Sequence, residues 1–255
     1  MILAIANQKG GVGKTTTSIN IAACLAAMHR RVLLVDLDPQ GNATTGSGVD
    51  NAAVVSSTYD VLINGMVVAD AKIAVDASGY DLLPANVDLS GAEGELMDIP
   101  SREHRLRNAL ESCNSSYDYI IIDCPPSLSL LTLTGLVAAN GVIIPMQCEY
   151  YALEGLTALI GTISRITNRL NSELEIKGIV RTMFDPRNRL ANEVSDDLVD
   201  HFGDLVFSTI IPRNVRLAEA PSYGLPLMYY DKQSRGARAH LALAGELVKR
   251  LESGD

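Results

Sequence analysis

Between a short apolar run, Ile2-Leu3-Ala4-Ile5-Ala6, and a stretch over 17–29 with Ile19, Ala22, Ala23 and Ala26 at helical spacing lies Lys9-Gly10-Gly11-Val12-Gly13-Lys14-Thr15-Thr16. A buried strand, a glycine turn and a helix in that order form the opening unit of a parallel α/β sheet, so few other folds remain open to the chain. The last three positions of the pattern G-x-x-x-x-G-K-[ST] are filled by Gly13, Lys14 and Thr15. In such a loop glycines let the backbone curl around phosphate, the lysine reaches the β and γ oxygens, and the hydroxyl serves Mg²⁺. The helix N-terminus adds unpaired N–H groups and the positive end of its dipole. The opening glycine of the pattern falls on Gln8, with Gly10 and Gly11 further on instead, and Lys9 is a lysine the ordinary pattern lacks.

Short runs rich in Val, Ile, Leu or Tyr recur at 32–36, 80–83, 119–123, 142–146, 176–181 and 206–211. Amphipathic stretches near 105–113, 130–139, 153–170 and 191–202 alternate with them, and another at 237–251 follows the last. This alternation predicts a single-domain α/β P-loop NTPase over 1–255, with a mostly parallel twisted sheet, helices on both faces and ligands beyond the carboxyl ends of the strands. A length of 255 residues, 47% hydrophobic and 20% charged, suits one sizeable core.

Three aspartates fall at predicted strand ends. Asp123 follows Tyr-Ile-Ile-Ile and matches a Walker B aspartate, placed to hold Mg²⁺ or one of its waters. Asp36 and Asp38 close and follow the second strand, and in extended chain their side chains share a face. Either could instead cap the turn that enters Pro39-Gln40-Gly41-Asn42.

Cys24, Cys113, Cys124 and Cys148 form no C-x-x-C pair, which signals neither a disulfide framework nor a zinc or iron–sulfur site and suggests reduced core thiols. Met1 leads straight into the first strand, and no apolar run approaches a membrane span of about 18 residues. A compact cytosolic enzyme is expected.

The chain resembles the deviant Walker A family of P-loop ATPases, in its ParA/Soj branch of chromosome- and plasmid-partitioning proteins. The resemblance runs nearly end to end, through KGGVGKTT from Lys9, VLLVDLDPQGN from Val32, YDYIIIDCPPS from Tyr117, QCEYYALEG from Gln147 and IPRNVRLAEAPS from Ile211. It implies an ATP- and Mg²⁺-dependent ATPase whose nucleotide loop comprises Gly10, Gly11, Val12, Gly13, Lys14, Thr15 and Thr16. It further implies that Lys9 reaches across an ATP-sandwich homodimer to the partner's phosphates; a local phosphate contact or a solvated charge is the other reading of that residue. Asp38 then orients or activates the attacking water, Thr15, Asp36 and Asp123 serve the metal, and Pro212 lies in the loop around adenine, where a proline also reads as a plain strand stop. Hydrolysis should depend on dimerisation and run on the order of 10⁻⁴ to 10⁻² per second unstimulated, a timer's rate.

Net charge is −9, and its distribution is uneven: residues 1–175 hold ten Lys/Arg against nineteen Asp/Glu, while 176–255 hold eleven of each. That argues against coating DNA by general attraction but allows a local basic patch. The family binds nonspecific DNA through basic residues in its second half, and Arg187, Arg216 and Arg235 are the candidates here, with Arg189, Arg213, Lys232 and Arg238 in support; each alone also reads as a solvated side chain. The resemblance implies a ParB-like centromere-binding partner, a nucleoid-associated cytoplasmic location and no membrane. A MinD-like membrane ATPase is the rival, but its lipid-inserting basic tail is a poor match to Leu241-Ala-Leu-Ala-Gly-Glu-Leu-Val-Lys-Arg-Leu251, whose stripe is expected to pack on the sheet. An iron–sulfur protein of the same fold would need paired cysteines.

Overall fold

Successive side chains of a strand point to opposite faces, and here the two faces build two separate cores. In the computed structural model, which describes residues 1–252, Ile2 and Ala4 of β1 (Ile2–Ile5) join one core and Leu3 and Ile5 the other. The remaining elements, in chain order, are α1 (Lys14–Ala27), β2 (Val32–Asp36), α2 (Asn42–Gly46), α3 (Val68–Ala71), β3 (Ile73–Val75), β4 (Tyr80–Leu83), α4 (Leu89–Leu96), α5 (Arg105–Glu111), β5 (Tyr119–Asp123), α6 (Leu130–Ala138), β6 (Gly141–Gln147), α7 (Ala152–Arg169), β7 (Glu175–Thr182), α8 (Arg189–Phe202), α9 (Val215–Glu219), α10 (Leu227–Tyr230) and α11 (Arg235–Glu252).

The seven strands form one sheet in the order β3-β4-β2-β5-β1-β6-β7. Neighbours pair in parallel except β3, which lies antiparallel on β4 at one edge. Strands covered on both faces read as unbroken apolar runs, which is why Val32–Asp36 and Tyr119–Asp123 stand out in the sequence. One face is covered by α1 and α11, through Ile19, Ile21, Leu243 and Leu247; the other by α4 to α8, through residues such as Leu89, Leu106, Leu136, Leu159 and Leu198. The α/β P-loop fold expected from the sequence is therefore the fold observed.

The run at 206–211 is not a strand. It follows β7 through two isolated parallel bridges, Ile179 to Val206 and Phe184 to Pro212. Between them the amides of Ser208 and Thr209 turn away and donate to Glu246 on α11, at 2.8 and 2.9 Å. The buried Arg181 guanidinium donates to the carbonyls of Phe207 and Ser208 at 2.9 and 3.4 Å, and the Phe207 ring lies so close to Gly178 that a Cβ there would collide with it. A ladder cannot continue through donors and acceptors committed elsewhere.

Along α11, Leu243, Ala244 and Leu247 are fully buried, as the packed reading of the tail requires. The 253–255 end of that tail lies outside the described residues.

Candidate active site

The carboxyl ends of β1, β2 and β5 sit side by side in register, Ile5 against Asp123 and Asp36 against Asp123. The loop after β1 passes over them into α1. Gly11 and Gly13 take φ of +73° and +85°, the left-handed region where a Cβ is strained, so the turn depends on glycine at both positions. The Thr182 hydroxyl at the end of β7 donates to the Val12 carbonyl at 2.8 Å and ties the loop to the far side of the sheet.

The loop's two lysines point to different places. Lys14 is 7% exposed and its Nζ donates to the Lys9 carbonyl at 3.2 Å, spanning the loop from beneath. Burial holds its pKa below the ordinary lysine value, opposed chiefly by the nearby Asp123 carboxylate and further by Asp38. The Lys9 side chain instead points outward, about half exposed, and pairs with Glu149 beyond β6.

The three aspartates divide similarly. Asp123 is fully buried; its Oδ1 accepts from Ser18 at 2.8 Å and its Oδ2 has no partner. Burial, then the charge of Asp36, pushes its pKa up to about 7, with the Ser18 hydrogen bond and the nearby Thr15 hydroxyl opposing the rise. Asp36 is also fully buried and pushed up to about 6 by burial, but both of its oxygens are engaged: Oδ2 accepts from the Thr44 amide and hydroxyl at 2.8 and 2.7 Å, and Oδ1 from the Asp38 amide at 3.2 Å. Asp36 thus fastens α2 to β2 from a position directly beside Asp123. Asp38 caps the following turn through Gln40 N–H at 3.0 Å, yet also lines a cavity of about 410 Å³ with Gly10, Gly11, Lys14, Thr15 and Thr16. Of the two, Asp38 lines the cavity, while Asp36 is fully buried behind it.

The unpartnered Asp123 oxygen beside the Thr15 side chain fits a magnesium ion. Among the described residues no group of three or more His, Cys, Asp or Glu could hold a metal alone, which suits an ion taking most ligands from phosphate and water. A second cavity of about 350 Å³ shares Gly13, Thr16 and Met183 with the first and holds Pro212. Phosphate cradle and apolar pocket are therefore contiguous.

Residues 1–176 match the family model described as an AAA domain. The sporulation initiation inhibitor protein Soj of Bacillus subtilis is 53% identical over 247 residues, 97% of this chain and 98% of that protein. The chromosome partitioning protein ParA of Caulobacter vibrioides is 51% identical over 251 residues, 98% of this chain and 94% of its own. The chain belongs to the ParA/Soj family of partitioning ATPases. A crystal structure of cobyrinic acid a,c-diamide synthase from Mycobacterium smegmatis with bound ATP analogue and magnesium matches at a TM-score of 0.87 and 40% identity, covering 100% of this chain and 96% of that one.

In this ParA/Soj protein the basic candidates separate into two kinds. Arg187 is bound by Asp185 and Arg216 by Glu219 and Asp231, and Arg189 is bound by Glu193. Arg213, Lys232, Arg235 and Arg238 are exposed and form no ion pair among the described residues. Phe184, Pro212, Arg235 and Arg238 line a shallow hollow that adjoins the apolar pocket at Pro212. All four cysteines are buried and unpaired, as expected.

Sequence reasoning missed Ser18, Glu149 and Met183. Ser18 lies three residues after Thr15 on α1 and so shares its face toward Asp123, a spacing visible in the sequence. The Glu149 pairing and the left-handed Met183 (φ +49°) at the junction of the two cavities have no local signal.

Proposed function

We propose that this protein is an ATP-controlled dimeric switch. Two copies close on a pair of ATP molecules, the closed dimer binds DNA without reading its sequence, and hydrolysis, stimulated by a ParB-like centromere-binding partner, resets it in a nucleoid-associated cytoplasmic setting. The observation that carries this reading is the division of labour between the lysines: Lys14 lies under the loop, while Lys9 stands outside it, half exposed, on the side of Glu149, which is followed in the chain by Tyr150 and Tyr151, each 74% exposed. A cation and two aromatic rings packed edge to face on one rim suit a partner surface.

Within each copy, backbone N–H groups of Gly10 to Thr16 and the Lys14 ammonium hold the triphosphate. Thr15 and Asp123 hold the Mg²⁺ ion, which when bound offsets charge on the β and γ oxygens; the relative solved with an ATP analogue and magnesium supports both ligands. Asp38 faces the same cavity and orients the attacking water, Asp36 positions Asp38 through its amide, and Pro212 packs on the base. Lys9 from the second copy completes the charge on the transferred phosphoryl group. Arg235 leads the DNA-contacting set, with Arg187 and Arg216 drawing on charge already shared with carboxylates.

The membrane-bound alternative loses its main support, since the apolar stripe of α11 is buried against the sheet, and no helix of the described residues is long and apolar enough to cross a membrane. The test compares wild type, Lys14→Ala, Lys9→Ala and Asp38→Ala for nucleotide affinity, for mass by sedimentation and for DNA binding across salt. ATP-dependent dimers on DNA in wild type and Asp38→Ala, with tight ATP binding but no dimer in Lys9→Ala, are expected. A Lys9→Ala protein that dimerises and hydrolyses like wild type overturns the proposal.

A further inference from the structure

Helices α6 and α7 lie on the same face of the sheet and leave a groove of about 420 Å³ between them. Leu130, Leu133 and Leu170 line it; each packs inward on the core yet keeps part of its surface open. Leu128, 41% exposed, stands at one end. Across 128–139 and 155–170, the stretches that build the two walls, Arg165 and Arg169 are the only charged residues.

Those two arginines lie one turn apart on α7, line the groove and are exposed. Arg165 donates to the Thr162 hydroxyl on the same wall at 2.9 Å, and neither arginine forms an ion pair among the described residues. By contrast Arg187, Arg189, Arg216 and Arg250 are each held by a carboxylate. The neighbouring Glu93 accepts from the Leu131 amide at 3.3 Å and is not part of the groove lining. In a chain with 30 acidic and 21 basic residues, this trough is therefore apolar along its length and purely cationic at its rim.

An apolar trough gains from burying an apolar stripe, and unpaired guanidiniums beside it gain from carboxylates and repel a cationic guest. Nucleic acid would satisfy the arginines but leave the leucines wet, and a flat bilayer cannot enter a concavity walled by two helices. We propose that the α6–α7 groove docks an acidic amphipathic helix of a partner protein. Its apolar stripe seats on Leu130, Leu133 and Leu170, and carboxylates four residues apart match the spacing of Arg165 and Arg169. No residue of the groove lines either nucleotide cavity, and neither arginine belongs to the basic set at 187–238, so this surface is separate from both. It begins close to the nucleotide, since Pro126, two residues before Leu128, lines the phosphate cavity.

The experiment is fluorescence anisotropy of the full chain with three labelled synthetic helical peptides of about 14 residues, or four turns. One carries leucine at i, i+3, i+4 and i+7 with flanking glutamates, the second has lysine for every glutamate, and the third has serine for every leucine. Wild type should prefer the glutamate peptide to the lysine peptide by at least about tenfold, the worth of two half-exposed ion pairs, and should bind the serine peptide weakly. Arg165→Glu/Arg169→Glu, with both changes on exposed side chains and folding confirmed by thermal melting, should invert the preference while leaving basal ATP hydrolysis unchanged. No binding of the glutamate peptide at about 1 mM overturns the proposal. So does equal binding of the glutamate and lysine peptides, equal binding of the glutamate and serine peptides, or a preference untouched by the double substitution. If the double substitution instead abolishes sedimentation with phosphatidylglycerol vesicles, DNA binding, or self-association of the ADP-bound protein, with peptide affinity unaltered, the groove serves a lipid, nucleic acid or a second copy and the proposal is equally overturned.

Discussion

Lys9 and Glu149, 140 positions apart in the chain, are joined in an ion pair on the outer rim of the phosphate loop. Both side chains are about half exposed, and pairs of that kind contribute at most about 1 kcal/mol, so the bond is easily exchanged for a triphosphate. On the proposed reading, in which Lys9 reaches a partner's triphosphate, Glu149 competes with that nucleotide for it. Glu149→Gln should tighten ATP-dependent dimerisation by up to about fivefold at low salt, and the difference should fade at high salt. Sedimentation equilibrium at two ionic strengths measures it.

Asp38 and Lys14 face the same cavity with different proposed tasks, so their variants should separate. Asp38→Ala should keep nucleotide binding and lose hydrolysis by roughly 10²- to 10⁴-fold. Lys14→Ala should lose nucleotide affinity itself. Binding titrations and single-turnover phosphate release on the same preparations distinguish the two.

The neighbouring carboxylates Asp36 and Asp123 should differ in what they hold. Asp36 accepts three hydrogen bonds in the core, so Asp36→Ala strands the Thr44 and Asp38 donors and should cost about 3 kcal/mol or more in urea denaturation. Asp123 has an unpartnered oxygen and is pushed up to about 7, so Asp123→Asn should be near neutral in stability. Its effect should appear instead as weakened Mg²⁺ dependence of ATP hydrolysis in a metal titration.

On DNA, arginines already neutralised by carboxylates should matter less than unpaired ones. Arg235→Ala should lower affinity and reduce the salt slope by about 0.9 for each phosphate no longer neutralised. Asp185→Asn, which frees Arg187, should raise affinity. Binding isotherms at several salt concentrations check both signs.

Buried His240 on α11 has a consequence for stability against pH. Its pKa is lowered by burial from the ordinary 6.5 to about 4, so between those values the unfolded chain binds a proton that the native state refuses. Stability therefore falls as pH drops through that window. Buried Asp36 and Asp123, raised to about 6 and 7, act in the opposite sense, since the native state keeps protons that the unfolded chain has released. Comparing wild type with His240→Phe cancels the aspartates. Between pH 7 and 5, wild type should lose on the order of 2 kcal/mol more than the variant in denaturant titrations.

The phosphate loop and six of the seven strands were legible because their determinants are local: glycine spacing, short apolar runs, and a strand-to-helix order. The stretch at 206–211 has the composition of a strand, but Glu246, some forty positions later, and the ring of Phe207 over Gly178 decide its path. Asp36 and Asp38 could not be sorted by spacing, because Thr44, eight residues on, determines which one is enclosed. Three-residue β3 and helices of four or five residues carry too little pattern to register.

The irregular course of 206–211 has a further effect on how copies of this chain can meet. That segment covers the β7 margin of the sheet with amides already bonded to Glu246, and the opposite margin is a strand of only three residues. Neither border presents a continuous row of open peptide groups, so edge-to-edge accretion into larger sheets is blocked at both sides. That leaves the loops above the strand ends as the face for the proposed nucleotide-dependent pairing of copies.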